Sequence, residues 1–255
     1  KVSNHSAALR EGVCETLVIL SVHGSHLFQQ RLGFNAEAQV SILIRRLLTP
    51  LSLEKLLSHD DDLPRYAEAA PDEFLSLLEA DLQKSEPVVL GLLRPASTGV
   101  LGGCPRSGLL WALECLAWKH LGRVSSVLAQ LSRTSIEDNW ANKPIASLKA
   151  IYRSWMPQTA ASLEERIKSL ETLVRRFPMI SWEICIDELD RHSRIGHHSY
   201  RPRWRSDASG AGQVKLTAEG VHFRRKVLDL ALAWFDHNEK TLADLVERIE
   251  GIPEE

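Results

Sequence analysis

Cysteine and long apolar runs are scarce in this sequence. No stretch approaches the roughly 18 consecutive apolar residues of a transmembrane helix, and the first residues lack the apolar region of a signal peptide. The four cysteines lie far apart without CxxC spacing, which argues against a disulfide framework or a four-thiolate zinc site. We therefore expect a cytoplasmic protein with no membrane partner, whose cysteines are small buried hydrophobes: Cys14, Cys104, Cys115 and Cys185.

A strong charge of either sign is also missing. The formal net charge is −2 over 255 residues, which argues against whole-surface attraction to nucleic acid or to an anionic membrane but leaves a local basic patch open. Apolar residues make up 44% of the chain and charged residues 25%, which is the balance of a globular protein and not of a disordered one. The length suits one domain or two.

Complete catalytic motifs are absent as well. The sequence contains no GxSxG, no HExxH and no Cys/His signature. No motif therefore indicates nucleophilic catalysis or zinc-dependent hydrolysis. The glycine-containing segment 99–108 follows no strand and ends without the Gly-Lys-Ser/Thr of a P-loop, which favours a flexible connector over a phosphate cradle. We therefore expect a protein that is not an enzyme and that needs no cofactor.

Helical periodicity is the dominant pattern that is present. Over 161–177 apolar residues recur at three- and four-residue spacing and form one stripe. Pro178 then bars simple continuation of that helix. Only Pro87–Leu90 resembles a strand, and no alternating segment nearby could pair with it. Comparable patterns predict further helices at 7–22, 36–48, 71–85, 109–131 with a break at 119–122, 144–151, 181–189, 217–237 and 240–250.

About ten helices are predicted in all, and they come in pairs joined by short connectors. This arrangement predicts an all-α fold, built as an irregular stack of helical hairpins similar to an α-solenoid. We expect a single helical domain over 1–255, or two lobes, 1–95 and 108–255, joined by a connector that contains glycine and proline.

The segment 191–205 is the richest in side chains that could bind a ligand. It carries five arginines, three histidines, two aromatic residues and no acid. Guanidinium groups bind phosphate and carboxylate, and Tyr200 and Trp204 could stack on bases, so a nucleic-acid or nucleotide site is one interpretation. The other is a loop whose arginines pair with nearby acids at 187–190. The candidate anion-binding residues are Arg191, Arg194, Arg201, Arg203, Trp204 and Arg205.

Histidines of the same segment offer a further hypothesis. His192, His197 and His198 are ligand types that zinc binds, and Cys185 precedes them, but their spacing matches no zinc signature. A metal-dependent enzyme centred on the three histidines is therefore a second alternative. If they bind no metal, their charge change near neutral pH could tune the arginine patch.

Aromatic residues form the last pattern. Trp111 and Trp118 are seven residues apart, and core packing is the default interpretation for them and for Trp182. Trp234 and Phe235 are predicted on the buried side of the last long helix. An exposed tryptophan would instead indicate a protein-binding groove.

Three segments resemble the helical region of large bacterial multidomain proteins: 109–118, 142–160 and 200–205. Those proteins are similar to signal-transducing NTPases of the antiphage-defence type, with an effector domain, a nucleotide-binding core and a helical sensor. The resemblance covers roughly residues 100–255 and implies a helical scaffold or sensor, with NTPase and effector chemistry elsewhere in a longer chain. Because the sequence starts at Lys1 and not at Met, we also expect it to be a piece of something longer.

The leading hypothesis is therefore a non-catalytic helical-repeat module that binds a protein partner or other domains of a parent chain. Nucleic-acid or nucleotide binding through 191–205 is the first alternative, and the metal-dependent enzyme is the second.

Overall fold

The computed structural model describes residues 6–94, 103–190, 196–206 and 217–248, and within these ranges the regular structure is helical, with no strand. The all-α prediction is therefore confirmed, whereas the stacking of hairpins stays a prediction. None of the helices in these ranges combines the length and the apolar character needed to cross a membrane. The α-helices in the described ranges are α1 Ala7–Ile19, α2 Ser25–Leu32, α3 Ala36–Leu48, α4 Leu53–Ser58, α5 Leu63–Ala69, α6 Pro71–Leu82, α7 Ser107–Ala117, α8 Leu121–Ser132, α9 Pro144–Tyr152, α10 Leu163–Arg176, α11 Pro178–Leu189, α12 Thr217–Leu232 and α13 Glu239–Glu247.

Most helices predicted from periodicity are present. The bounds of α3 match the prediction, and α7 and α8 are separated where a break was expected. The start of α10 is fixed by a capping box in which Ser162 accepts from the amide of Glu165 and the Glu165 carboxylate accepts from the amide of Ser162. The strand-like segment is a correction, because it belongs to the 3-10 helix Val88–Leu93.

The helix predicted over 7–22 differs from the observed structure. After α1 the chain forms a π-helical turn, Leu20–Gly24, and continues into α2. A Cβ added to Gly24 would lie 2.8 Å from the Cβ of Ala36, at the start of α3. Glycine at position 24 therefore lets the α1–α2 backbone approach α3 closely, which periodicity alone cannot reveal.

Two compact units can be distinguished, and each combines segments that are distant in sequence. The first contains the described residues up to 116, 134–143 and 200–206, and the second contains 117–133, 144–190, 196–199 and 217–248. The expectation from the sequence, a single domain or two lobes over 1–95 and 108–255, stays a prediction.

In the first unit, α3 packs against α5, α6 and the π-helical turn, and α1 packs against α5. The loop 134–143 is attached to the same unit by Arg106, whose side chain is fully buried. Its guanidinium donates two parallel hydrogen bonds to Asp138, at 2.9 and 2.7 Å. The side-chain amide of Asn142 donates a hydrogen bond to the hydroxyl of Ser107, at 2.9 Å. A bidentate ion pair thus fixes this loop beside the start of α7.

In the second unit, α11 packs against α9, α10 and α12. Its buried side chains include Ile180, Ile184, Cys185 and Leu189, which do not fit one narrow stripe. A helix that buries apolar residues on several faces belongs in the middle of its unit. All four cysteines of the chain are buried and none forms a disulfide, as the sequence predicted.

Gly108, in the first turn of α7, provides a test of the packing in the first unit. A Cβ at this position would lie 1.9 Å from the carbonyl oxygen of Asp60, so we expect Gly108→Ala to lower the free energy of unfolding by about 3 kcal/mol or more, at the upper end of overpacking effects. Gly122, in the first turn of α8, has nothing within 4 Å of an added Cβ, so Gly122→Ala should be neutral or stabilising by up to about 1 kcal/mol. Urea denaturation compares the two variants, and equal stabilities would contradict the expectation.

Candidate functional site

The described part of the predicted arginine-rich site divides between the two units. Residues 196–199 belong to the second unit and 200–206 to the first. We call 200–206 the arginine strap. Arg191, His192 and Arg194 lie outside the described residues, so the roles suggested for them stay predictions. Arg201 is exposed. Arg203 and Arg205 contact acids of the first unit.

Two carboxylates of the first unit pair with arginines of the strap. The guanidinium of Arg203 donates to Glu15 of α1. The Nη2 of Arg205 lies 3.3 Å from the Oε1 of Glu37, on α3. The partners of these arginines are therefore acids more than 160 residues earlier in the chain, and not the acids at 187–190 that the sequence suggested. An acid that lies near in sequence need not lie near in space.

Glu68, a buried residue of α5, holds the centre of the strap. Its Oε1 accepts hydrogen bonds from the backbone amides of Trp204 and Arg205. The Nε of Arg205 donates to the backbone carbonyl of Glu68, at 2.7 Å. The guanidinium of Arg203 lies over the ring of Trp204, 5.3 Å from its centroid. A buried carboxylate that accepts hydrogen bonds from two backbone amides fixes the course of the strap, and no sequence motif indicates this contact.

Trp111, predicted in the core, is partly exposed and stacks on Tyr200, with ring centroids 6.4 Å apart and planes at 18°. The amide of Tyr200 donates to Glu114 of α7, at 2.9 Å. Trp118 is buried, as predicted. The strap therefore begins on an aromatic pair and a carboxylate of α7, and it is attached to the first unit along its length.

The predicted metal ligands are not assembled into a site by the described residues. His197 and His198 are exposed, and Cys185 is fully buried in α11. Within the described part of the chain, no group of three or more His, Cys, Asp or Glu side chains is arranged to hold a metal ion. Since His192 lies outside that part, the zinc hypothesis stays a prediction.

A buried acid in the second unit was not foreseen. Glu188 of α11 accepts a hydrogen bond from the backbone amide of Ser154, at 2.9 Å. Burial raises the pKa of Glu188 to about 7, against the opposing effect of the hydrogen bonds from Ser154. Arg224 of α12 donates to the backbone carbonyls of Glu188 and Leu189 and so caps the end of α11. This cluster joins α11, α12 and the loop after α9.

Arg166 of α10 is a second buried charge of this unit. It is fully buried, its Nη2 donates to Glu219, and its guanidinium lies 4.8 Å from the ring centroid of Phe223. Its Nε and Nη1 have no hydrogen-bond partner within the described ranges. Burial lowers the pKa of Arg166 and the neighbouring Glu219 opposes that effect. The residue joins α10 to α12.

The surface of the second unit contains an apolar groove of about 260 Å³. Residues from the first turns of α11 form one side, and the α12–α13 connection with the first turn of α13 forms the other. We call this site the aromatic groove. Its lining residues are Pro178, Met179, Trp182, Glu183, Trp234, Phe235, Asp236, Asn238, Lys240 and Thr241.

Two tryptophans contribute the buried part of the aromatic groove. The rings of Trp182 and Trp234 meet edge to face, with centroids 4.8 Å apart, and Trp182 also meets the edge of His237 at 6.0 Å. The indole Nε1 of Trp182 donates to Asp244 of α13, at 2.8 Å. This arrangement satisfies the polar atom of a buried indole and fixes its ring.

Met179 and Phe235 contribute the exposed part, with 82% and 74% of their surface accessible. The sequence predicted Phe235 on the buried side of a helix that reached 237. That prediction is wrong, because α12 ends at Leu232 and Asn238 then caps α13 in a reciprocal pair of hydrogen bonds with Thr241. Phe235 therefore lies in the connection between the two helices and faces solvent. Trp234, predicted to be buried, is buried.

Replacing Glu68 with alanine tests the attachment of the arginine strap. The change removes the acceptor of two amides, and hydrogen bonds to charged groups contribute about 1.5 to 3 kcal/mol each. We expect trypsin to cleave after Arg203 and Arg205 at least about tenfold faster in Glu68→Ala, because local opening becomes easier. The control is Glu86→Ala, an exposed glutamate of the same unit. Equal cleavage rates in the two variants would show that the strap is held in another way.

Replacing Glu188 with glutamine tests the buried acid. Because the folded state raises the pKa of Glu188 from 4.5 to about 7, the native chain loses stability as the pH rises through that window. The amide oxygen of the variant can still accept from Ser154. We therefore compare the free energies of unfolding of Glu188→Gln and the native chain. The difference, variant minus native, should rise by a few kcal/mol between about pH 4.5 and pH 7, because each pKa unit corresponds to about 1.4 kcal/mol. Above pH 7 the difference should stay constant.

Urea denaturation at several pH values measures this difference between Glu188→Gln and the native chain. Burial also raises the pKa of Asp60, to about 6, but Asp60 is present in both proteins and its effect cancels. A difference that does not change with pH would contradict the buried, protonated state of Glu188.

The chain was also compared with known proteins. No protein-family model matches it, and no significant match is found among curated proteins or among solved structures.

Proposed function

We propose that the protein is a non-catalytic helical interaction module and that it binds a segment of a protein partner in the aromatic groove. The observation that carries the proposal is the exposure of Met179 and Phe235 beside the buried pair Trp182 and Trp234. Large exposed apolar side chains that border a pocket are typical of interaction sites. Tryptophan is among the residues that contribute most to binding energy at interfaces.

The size of the groove favours a peptide side chain over a metabolite. Small-molecule sites usually enclose about 300 to 1,000 Å³ and bury most of their ligand. The aromatic groove is smaller, at about 260 Å³, and it lies on the surface. One or two large apolar side chains of a partner segment would fill it.

The buried side of the groove is preorganised. Trp182 is held by its hydrogen bond to Asp244 and by its edge contact with Trp234. The Asn238–Thr241 capping pair fixes the start of α13. A site that needs little ordering on binding keeps more of its contact energy as affinity.

Nucleic-acid binding through the arginine strap is supported less well. Two of its arginines already pair with Glu15 and Glu37, so a phosphate would have to displace carboxylates of the chain itself. A metal-dependent reaction has still less support, because His197 and His198 are exposed and the described residues hold no ligand cluster.

The resemblance to helical sensor regions of bacterial antiphage NTPases agrees with this proposal. We propose on that basis that the module works in the cytoplasm as part of a longer protein. Nucleotide hydrolysis would then belong to another part of that protein. Turnover of ATP or GTP by this chain alone would contradict the non-catalytic role.

Selection from a displayed library of random short peptides tests the groove. We expect peptides with a large apolar residue to be enriched, and we expect Phe235→Ala to weaken the binding of the best of them at least tenfold, or about 1.4 kcal/mol. The control is Val221→Ala, which shortens an exposed apolar side chain of α12 outside the groove lining. Fluorescence anisotropy with the synthetic peptide measures both variants. Failure to enrich any peptide, or equal losses in the two variants, would refute the proposal.

A further inference from the structure

Three charged residues line the aromatic groove, and their charges are unbalanced. Glu183 and Asp236 are carboxylates, and Lys240 is the one base of the lining. All three side chains are exposed, and none forms an ion pair with another residue of the described ranges. Glu239, next to Lys240 in sequence, is exposed as well. The groove therefore presents an excess of negative charge beside its apolar surface.

Two other carboxylates of the second unit have partners within the chain. Asp244 accepts from the indole of Trp182, at 2.8 Å. Asp190 lies 3.5 Å from the Nε of Arg248. The two acids of the groove lining differ from Asp244 and Asp190, because their charge is available to a ligand.

Two uncharged side chains of the lining form the cap of α13 with each other. The Oδ1 of Asn238 accepts from the amide of Thr241, at 3.1 Å. The hydroxyl of Thr241 accepts from the amide of Asn238, at 2.8 Å, and lies 3.0 Å from its carbonyl. The Oδ1 of Asn238 and the hydroxyl of Thr241 are therefore occupied in the helix cap. The apolar shape of the groove and the charges of its lining are then the main features that a partner would meet.

We infer that the occupant of the aromatic groove is a protein segment in which a large apolar side chain is flanked by lysine or arginine. This inference rests on the proposed function and adds the chemistry of the partner. The apolar side chain fills the space between Met179, Trp182 and Phe235, and the flanking base pairs with Glu183 or Asp236. An acidic flank would bring like charges together at the rim, so the same charges act against wrong partners.

The test uses synthetic, fluorescently labelled versions of the peptide that the library selection enriches most. Its residues beside the apolar anchor are set to lysine, serine or glutamate, and each version is titrated against the full chain by fluorescence anisotropy. We expect the lysine version to bind about threefold to tenfold more tightly than the glutamate version, since exposed ion pairs stabilise a complex only modestly. The preference should shrink at about 1 M salt, where charges are screened beyond about 3 Å.

Charge reversal in the protein completes the test. In the double variant Glu183→Lys, Asp236→Lys we expect the preference to reverse, and in Lys240→Glu we expect it to increase. Glu164→Lys is the matched control, because Glu164 is an exposed acid of α10 in the same unit and outside the groove lining. That control should keep the preference of the native chain. Circular dichroism confirms that each variant is folded.

The outcomes separate the inference from the proposed function. If the three peptide versions bind equally and Phe235→Ala still abolishes binding, the proposed function stands and the basic flank is refuted. If no peptide binds the native chain, the proposed function itself fails. If the native chain is a dimer in sedimentation and Phe235→Ala is a monomer, the occupant is a second copy of the chain, which also overturns the inference.

Discussion

The burial of α11 is the constraint on which the rest of the second unit depends. This helix packs against α9, α10 and α12, so its apolar residues are removed from water on several sides. Apolar burial of this kind is the main favourable term in folding. Its two ends then serve different purposes. The first turns present Met179 and Trp182 to the aromatic groove. The last turn holds the buried Glu188, which accepts a hydrogen bond from the backbone amide of Ser154.

The helices could be predicted well from the sequence, because a 3.6-residue pattern reflects a local property of the chain. The bounds of α3 and the break between α7 and α8 follow directly from it. The pattern failed where a contact decided the structure. The π-helical turn at Leu20–Gly24 accompanies a close approach to Ala36, and α12 ends at Leu232 before a new cap at Asn238. Apolar residues continue past that end, so periodicity alone placed Phe235 inside the helix.

The candidate site was less predictable, because its important contacts join residues that are distant in sequence. Composition drew attention to the arginines at 201–205, but it could not identify Glu15, Glu37 and Glu68 as the acids that contact this segment. The aromatic groove was missed for a similar reason. Its lining comes from 178–183 and 234–241, and neither segment has a motif of its own. The one usable signal was the number of large aromatic residues in the second half of the chain.

The groove and the strap use charge in opposite ways. In the strap, arginines and carboxylates of the same chain form ion pairs. An anionic ligand would have to displace those carboxylates, so its binding free energy would be only the difference between the new ion pairs and the ones that are lost. At the groove, Glu183 and Asp236 are exposed to solvent, and under the proposed function they would pair with charges of the partner. Exposed ion pairs between a carboxylate and a base of a partner add little affinity, but they raise the rate of association and discriminate between partners. In the proposed complex the apolar side chains would supply the binding energy and the carboxylates would supply the selectivity, which is the division of roles expected of a module that recognises one kind of protein segment.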